Sequence, residues 1–230
     1  MTRKTVSFCF DDGFLESSRK TADLFEARGL RATFCAMASP ANSNDSAHRG
    51  GVFVDWPLWR RWLASGHDVA PHGWAHERLS DMPFEQACRS LERMFEMFEA
   101  ELPGFDPATS IFHTPYLSLP PALLDWVGAR VAGVRLATGG GGINRRAGVG
   151  AKRPIDCIAF GPDGVAASAQ RQIEAFARSD GDWLCLVLHG LDGEGWGALA
   201  LGELAVLVDS CLHLEMDILP LIDIVRPERQ

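Results

Sequence analysis

The sequence lacks several features that mark particular classes of protein. Its 230 residues include only three lysines and one tyrosine, and no run approaches the ~18 consecutive apolar residues of a membrane span. Lys and Arg number 22 against 30 Asp and Glu, for a net charge of −8. An acidic chain has no general electrostatic attraction to nucleic acid or to an anionic membrane. We therefore expect neither nucleic acid nor a membrane among its partners.

The N-terminus also lacks the pattern of a secretory signal peptide. Its apolar run, Val6–Phe10, is shorter than the ~7–15 residues that such a signal needs, and it ends at Asp11. The six cysteines are scattered without a Cys-x-x-Cys pair, and most lie inside apolar runs. This pattern is typical of buried free thiols in a reducing compartment. The sequence therefore predicts a cytoplasmic protein without disulfides or a cysteine-based zinc site.

Short apolar runs alternate with amphipathic segments along the whole chain. Such alternation is typical of a parallel sheet covered by helices, and about eight strands could close into a barrel. We expect a single domain over residues 1–230. The predicted strands are Val6–Phe10, Ala32–Ala36, Asp68–Ala70, Ser110–Phe112, Gly133–Leu136, Ile155–Phe160, Trp183–Leu188 and Ile218–Ile224. The predicted helices are Glu16–Arg28, a helix capped by Asp55 that runs through Ala64, Phe84–Leu102, Pro121–Val131, Ala166–Ala177 and Leu201–Leu212.

Two segments between these elements are predicted to be loops. Residues 39–51 are rich in Ser, Asn and Gly, which indicates a long polar loop. Gly139–Gly142 lacks the Lys-Ser/Thr that completes a phosphate-binding loop, so we interpret it as flexible. Trp56, Trp59 and Trp62 are predicted to pack one helix face, with sugar stacking as the alternative.

Candidate functional residues follow four of the predicted strands. These residues are Asp11 and Asp12 after the first strand, His72 after the third, His113, Pro115 and Tyr116 after the fourth, and His189 after the seventh. Because the carboxyl ends of parallel strands meet at one edge, these side chains are expected to share a single site.

His72 and His76 are four residues apart, a spacing that would place both imidazoles on one face of a helical turn. Two imidazoles and one carboxylate are a common ligand set for catalytic zinc, with a position left open for water. Two unrelated histidines are the alternative for this spacing alone. Asp11 and Asp12 could likewise cap a helix or bind magnesium, but a carboxylate-only site leaves both histidines without a role.

Taken in order, the four strand-end motifs resemble those of the polysaccharide deacetylase family, also known as carbohydrate esterase family 4 or the NodB-homology domain. The matching motifs are Phe10-Asp11-Asp12-Gly13, His72-x-x-x-His76, Thr114-Pro115-Tyr116 and Leu186-Val187-Leu188-His189. The resemblance extends from residue 5 to roughly residue 210. It implies an α/β fold, a distorted (β/α) barrel with about seven strands.

The resemblance also implies roles for individual residues. Asp11 would be the catalytic base and His189 the catalytic acid, while Tyr116 would donate its backbone N–H to the oxyanion. The implied metal ligands are Asp12, His72 and His76, and the residues expected to contact substrate are His113, Pro115 and Trp196. The expected cofactor is one divalent ion, with zinc placed before cobalt, manganese and nickel.

Three departures from the family pattern affect the expected site. His113 occupies the position of an arginine that helps to hold the base carboxylate, and Leu117 replaces a glycine. The family's Asp-Trp pair, which positions the acid histidine, has no clear counterpart, and Asp156 and Asp209 both remain candidates. These departures leave the implied ligand set intact and put the substrate in question.

Three functions are compatible with this pattern. The first is metal-dependent de-N-acetylation of an amino sugar or oligosaccharide. The second is hydrolysis of a small non-sugar amide, such as a ureide, imide or formamide, on the same metal site. The third is a catalytically silent, carbohydrate-binding barrel. We rank them in that order, with an N-acyl compound as the expected substrate; the sequence does not indicate an oligomeric state.

Overall fold

A computed structural model of the protein describes residues 3–147 and 154–226. Its strands are β1 (Thr5–Phe10), β2 (Thr33–Ala36), β3 (Asp68–Pro71), β4 (Ile111–His113), β5 (Gly133–Leu136), β6 (Ile143–Asn144), β7 (Ile155–Asp156), β8 (Ile158–Ala159), β9 (Trp183–Leu188) and β10 (Asp217–Ile218). Its helices are α1 (Leu15–Glu26), α2 (Trp56–Ala64), α3 (Phe84–Glu101), α4 (Pro121–Gly128), α5 (Val165–Arg178), α6 (Leu201–His213) and α7 (Leu221–Val225).

The strands form an almost entirely parallel, barrel-like arrangement. One sheet has the order β3-β2-β1-β9-β6, with β10 added to β1 and β8 to β9, and a second has the order β4-β5-β7. The strand β3 lies beside β4, and β7 leads directly into β8, so the two sheets complete a ring. Around that ring the order is β1, β2, β3, β4, β5, β7 with β8, and β9. The predicted distorted barrel of about seven strands is confirmed.

Successive side chains along a strand alternate between two hydrophobic clusters, one between the barrel and the helices and one inside the barrel. In β1, Phe8 and Phe10 pack in the large cluster beneath the helices, whereas Cys9 packs in a smaller cluster inside the barrel. In β9, Leu186 packs in the large cluster and Val187 in the smaller one. Every residue of both strands is buried, as expected for a parallel strand covered on its two faces. Strand parity therefore decides which side chains reach the barrel axis.

The predicted elements are confirmed with ends shifted by a few residues, apart from two strands. Ile218–Ile224 was predicted to be one strand, but β10 ends at Ile218 and α7 follows. The cause is Pro220, which has no N–H for a sheet and directly precedes the helix. Ile155–Phe160 is divided into β7 and β8, which belong to different sheets. The short antiparallel β6 was not predicted.

An aromatic cluster joins α2 to the sheet. The Phe34 ring of β2 lies 5.1 Å from Trp62 and 5.7 Å from Trp59, measured between centroids, and all three residues are buried. Trp56 is partly buried and contacts Phe98 edge-on at 5.1 Å. Core packing of these tryptophans is confirmed, and the burial of Trp59 and Trp62 leaves those two unavailable for stacking on a sugar.

Phe34→Ala is expected to lower the free energy of unfolding by about 3–5 kcal/mol, because the lost ring leaves a cavity among the tryptophans. Urea denaturation followed by tryptophan fluorescence measures this change. Val206→Ala is the matched control, since Val206 is 63% exposed and its truncation should stay within about 0.5 kcal/mol. Equal stabilities of the two variants would show that the cluster does not support the fold.

All six cysteines are buried and unpaired, which confirms the expectation of free thiols. The compartment inferred from them stays a prediction. Among the described helices, none has the length and apolar character needed to cross a membrane.

Candidate metal and active site

Asp11 and Asp12 lie at the carboxyl end of β1, where the strand leaves the barrel. The backbone N–H of Asp11 donates to Leu188 O at 2.9 Å, so the pairing of β1 with β9 continues one residue past β1. Strand parity directs Asp11 toward the barrel axis. Both side chains are 2% exposed, and such buried charges require nearby partners.

The partner of Asp11 is Arg135, a residue of β5 that sequence reasoning did not identify. Its two terminal nitrogens, Nη1 and Nη2, donate to Oδ1 and Oδ2 of Asp11, each at 2.8 Å. Burial raises the pKa of Asp11, but Arg135 and then His72 outweigh it and hold that pKa well below its ordinary value. The family pattern places an arginine at position 113, where this chain has His113. Arg135 supplies the guanidinium instead, and it reaches Asp11 from β5, the strand beside β4.

Asp12, His72 and His76 form the cluster expected of the implied metal ligands. Asp12 Oδ1 lies 3.6 Å from His72 Nε2 and 3.5 Å from His76 Nε2, and this buried oxygen has no hydrogen-bond partner in the part of the chain that the structure describes. Two donors each about 2.0–2.1 Å from a tetrahedral ion lie about 3.4 Å apart. The donor types, their separations and the unpartnered oxygen therefore fit a divalent ion, zinc included.

Hydrogen bonds orient both imidazoles toward this cluster. His72 Nδ1 donates to the carbonyl oxygen of His113 at 2.9 Å, across the junction of β3 and β4. His76 Nδ1 lies 3.0 Å from Asp45 Oδ2. Because each Nδ1 faces an acceptor, each ring carries its proton there and presents the Nε2 lone pair to the cluster.

The two histidines do not converge on a helical turn, and that expectation is wrong. Residues 72–76 form a loop, in which Gly73 has φ +82° and His76 has φ +57°. A Cβ at Gly73 would lie 3.0 Å from Pro115 Cγ. Glycine therefore lets the chain turn back beside the segment after β4, and this turn places the two rings 5.1 Å apart.

Asp45 and His48, in the predicted polar loop, are further site residues that the sequence did not reveal. His48 is 5% exposed, and its Nε2 lies 3.3 Å from Asp12 Oδ2. Asp45 accepts a hydrogen bond from the Tyr116 hydroxyl at 2.7 Å besides facing His76. The loop therefore forms a wall of the site.

Four site residues have left-handed backbone conformations. Asp12, His76, Tyr116 and Leu117 have φ values of 75°, 57°, 54° and 55°. Such conformations cost non-glycine residues of order 1–3 kcal/mol each and concentrate at functional sites. Leu117 keeps the backbone conformation that suits the glycine expected there, and its side chain lines the pocket.

A pocket of about 420 Å³ opens over these groups. It brings together all three residues given catalytic roles (Asp11, Tyr116 and His189), two of the expected ligands (Asp12 and His76), and Trp196. The His189 and Trp196 rings meet edge to face, 4.9 Å between centroids. Tyr116 and Trp196 are partly exposed at 36% and 38%, so two aromatic surfaces border the opening.

His113 and Pro115 are not brought to this pocket. His113 has no exposed surface, and its Nδ1 lies 3.1 Å from Cys35 Sγ inside the barrel. Pro115 is buried against Gly73. The substrate contacts expected of their side chains are therefore not supported. Asp11, Cys35 and His113 form another group of potential ligand atoms, but Arg135 already occupies the Asp11 carboxylate.

Neither Asp156 nor Asp209, the two candidates for orienting His189, forms a hydrogen bond with that ring. Asp156 accepts hydrogen bonds from Thr138 and from the Gly142 N–H, and Asp209 pairs with Arg28. Within residues 3–147 and 154–226, the buried Nδ1 of His189 has no hydrogen-bond partner. The ring contacts Trp196, and it interacts electrostatically with Asp11 and Asp12.

Known proteins with a similar fold include several carbohydrate-active enzymes. A family 4 acetyl xylan esterase from Clostridium thermocellum, solved with a cobalt ion, superposes with a TM-score of 0.64 at 18% identity, covering 98% of this chain and 92% of that one. The peptidoglycan deacetylase PdaC from Bacillus subtilis gives 0.63 at 14% identity, with 99% and 94% covered. A pseudoenzyme of the same family from Bacillus anthracis gives 0.65 at 10% identity, with 97% and 66% covered.

Sequence comparison identifies the family directly. The probable peptidoglycan-N-acetylglucosamine deacetylase of Arthroderma benhamiae is 25% identical over 121 residues, which are 52% of this chain and 25% of that protein. The chain thus matches about a quarter of that relative's length. The polysaccharide deacetylase profile matches residues 1–135, more than half of the chain. The family includes hydrolases that act on amide bonds, and this chain belongs to the polysaccharide deacetylase family.

Proposed function

We propose that the protein is a metal-dependent deacetylase that removes the acetyl group from an N-acetylated sugar. The observation that carries this proposal is the convergence of Asp11, Tyr116 and His189 on one pocket beside the Asp12–His72–His76 cluster. The deacetylases among its relatives support a carbohydrate N-acetyl substrate. Because one structural relative is a pseudoenzyme, the intact set of catalytic groups matters more than the fold.

Each proposed catalytic residue has a defined task. Asp11 accepts a proton from the attacking water, and the water oxygen forms a new bond to the carbonyl carbon. The Tyr116 backbone N–H donates a hydrogen bond to the oxygen on which negative charge develops. His189 donates a proton to the nitrogen as the C–N bond breaks. The products are acetate and a free amine.

Asp12, His72 and His76 are the residues that would hold the metal ion. A divalent ion bound there supplies Lewis acidity and can lower the pKa of a water molecule to about 7. Arg135 keeps Asp11 ionised and in place, so that its carboxylate is ready to take the proton. The burial of these groups excludes most other water and strengthens their interactions with the substrate.

The pocket favours a single sugar unit or the end of a short oligosaccharide. Its volume of about 420 Å³ lies within the range of about 300–1,000 Å³ for small-molecule sites. The Asp45–His48 segment and Leu117 line it, together with Trp196. We propose Trp196, which is partly exposed at the opening, as a surface for contact with the sugar ring.

Acetate release from N-acetylated mono- and oligosaccharides, with and without a metal chelator, tests this function. We expect acetate that disappears with the chelator and returns when zinc, cobalt, manganese or nickel is restored. A parallel panel of ureides, imides and formamides tests the other chemistry. Release from small amides alone would replace the sugar substrate, and a metal-loaded protein without any release would make the barrel a silent binding domain.

A further inference from the structure

The segment from Ser43 to His48, here named the Ser43–His48 loop, contacts two of the three proposed metal ligands. At one end, His48 lies 3.3 Å from the Asp12 carboxylate. In the middle, Asp45 lies 3.0 Å from His76. Asp45 caps the short 3-10 helix Ser46–His48, and none of these residues belongs to a barrel strand, so strand pairing does not by itself produce these contacts.

The two ring nitrogens of His48 face Ser43 and Asp12. Ser43 Oγ accepts from the Asp45 N–H at 3.2 Å and lies 2.8 Å from His48 Nδ1. A hydroxyl has one proton to donate and two lone pairs, so Ser43 can donate to Nδ1, and a neutral His48 then carries its proton on Nε2. That Nε2–H faces Asp12 Oδ2. Among the described residues neither His48 Nε2 nor Asp12 Oδ1 has a hydrogen-bond partner, so His48 lies beside Oδ2 without a hydrogen bond, while Oδ1 lies toward His72 and His76.

Asp45 holds a second proposed metal ligand, His76, in place. Its Oδ1 accepts from the Ala47 N–H at 2.9 Å, which holds the carboxylate in the loop. Its Oδ2 faces His76 Nδ1 and also accepts from the Tyr116 hydroxyl. A carboxylate on the outer nitrogen of a metal-binding histidine fixes its ring and raises its basicity. Asp45 also ties the metal ligand His76 to Tyr116, the proposed oxyanion residue.

We propose that the Ser43–His48 loop positions the metal ligands, with His48 selecting the Asp12 oxygen and Asp45 orienting His76. The inference rests on the metal site of the proposed function and adds residues outside its ligand set. Direct ligation by this loop is the competing arrangement, because Asp45, His48 and His76 also have potential ligand atoms within 4.8 Å of one another. Hydrogen bonds already occupy both Asp45 oxygens, which favours positioning by Asp45. His48 Nε2 has no hydrogen-bond partner among the described residues, so the spectrum of the cobalt-loaded protein decides between positioning and ligation for His48.

Zinc affinity, measured by competition with a fluorescent chelator, tests the proposal without any activity assay. Asp45→Asn and His48→Phe are each expected to weaken zinc binding about 10–100-fold. His48→Gln keeps an N–H donor near Nε2 and should recover most of the loss. Arg49→Ala is the matched control, because Arg49 is exposed on the same stretch. Unchanged affinity in both Asp45→Asn and His48→Phe would overturn the proposal.

Two further measurements separate the possible causes. Melting temperatures of the metal-free variants should match the parent protein, and a variant that fails this check is replaced by His48→Gln or Asp45→Ser. The absorption spectrum of cobalt-loaded His48→Gln should keep the parent's ligand-field bands, whereas a changed band pattern would identify His48 as a ligand and contradict positioning. Weakened zinc binding in a protein that releases no acetate would overturn the proposed function and leave this inference standing.

Discussion

Asp11→Asn should lower the kcat of sugar deacetylation about 10²–10⁴-fold, the usual contribution of a positioned general base. Asparagine retains nearly the same shape but cannot take a proton from the attacking water. The unsubstituted carboxylate is held ionised, since Arg135 keeps the pKa of Asp11 well below its ordinary value. Initial rates of acetate release at saturating metal, for each protein over a range of substrate concentrations, separate kcat from KM.

The control for this variant is its zinc affinity. Asp12, His72 and His76 remain unchanged, so the variant should bind zinc with little loss. Asparagine also leaves Arg135 without its counter-charge, so a thermal melt must show that the assayed protein is folded. Near-parental turnover by folded, zinc-bound Asp11→Asn would remove Asp11 as the base and shift that role to another group in the pocket.

The part of the site that could be predicted follows from the regularity of a parallel barrel. Asp11, His72, Tyr116 and His189 each come shortly after a buried strand, and the chain topology makes those strand ends meet. The local backbone conformation between His72 and His76 could not be predicted from the sequence. The chain turns back at Gly73 and does not form a helix, and sequence spacing does not distinguish those two ways of bringing His76 toward His72.

The position of Arg135 inside the barrel could have been predicted from the alternation of side chains along its strand. It lies within the short apolar strand Gly133–Leu136, and its neighbours Val134 and Leu136 face the helices. Parity therefore places Arg135 inside the barrel, where a charge requires an opposite charge. Asp45 and His48 left no comparable signal, because a polar loop has no periodicity from which its fold can be inferred. Their role depends on long-range contacts.

Arg135→Met is expected to lower the free energy of unfolding by about 3–5 kcal/mol at neutral pH, because it leaves the Asp11 carboxylate buried without a partner. Both side chains are almost fully buried, at 0% and 2% exposure, so solvent screens the pair little. Activity should fall as well, since the carboxylate loses the two hydrogen bonds that orient it. Urea denaturation measures the stability, and acetate release measures the rate.

The pH dependence and a double variant separate a lost ion pair from a packing defect. The lowered pKa of Asp11 contributes stability that is present above the unfolded pKa of about 3.9 and is lost as pH falls through the lower folded value. In Arg135→Met the unpaired carboxyl protonates more readily, so the stability gap to the parent should narrow toward about pH 4. Asp11→Leu/Arg135→Met removes both charges and should recover most of the stability while staying inactive. A gap that is constant with pH, and no recovery in the double variant, would mean that Arg135 supports the barrel by packing alone.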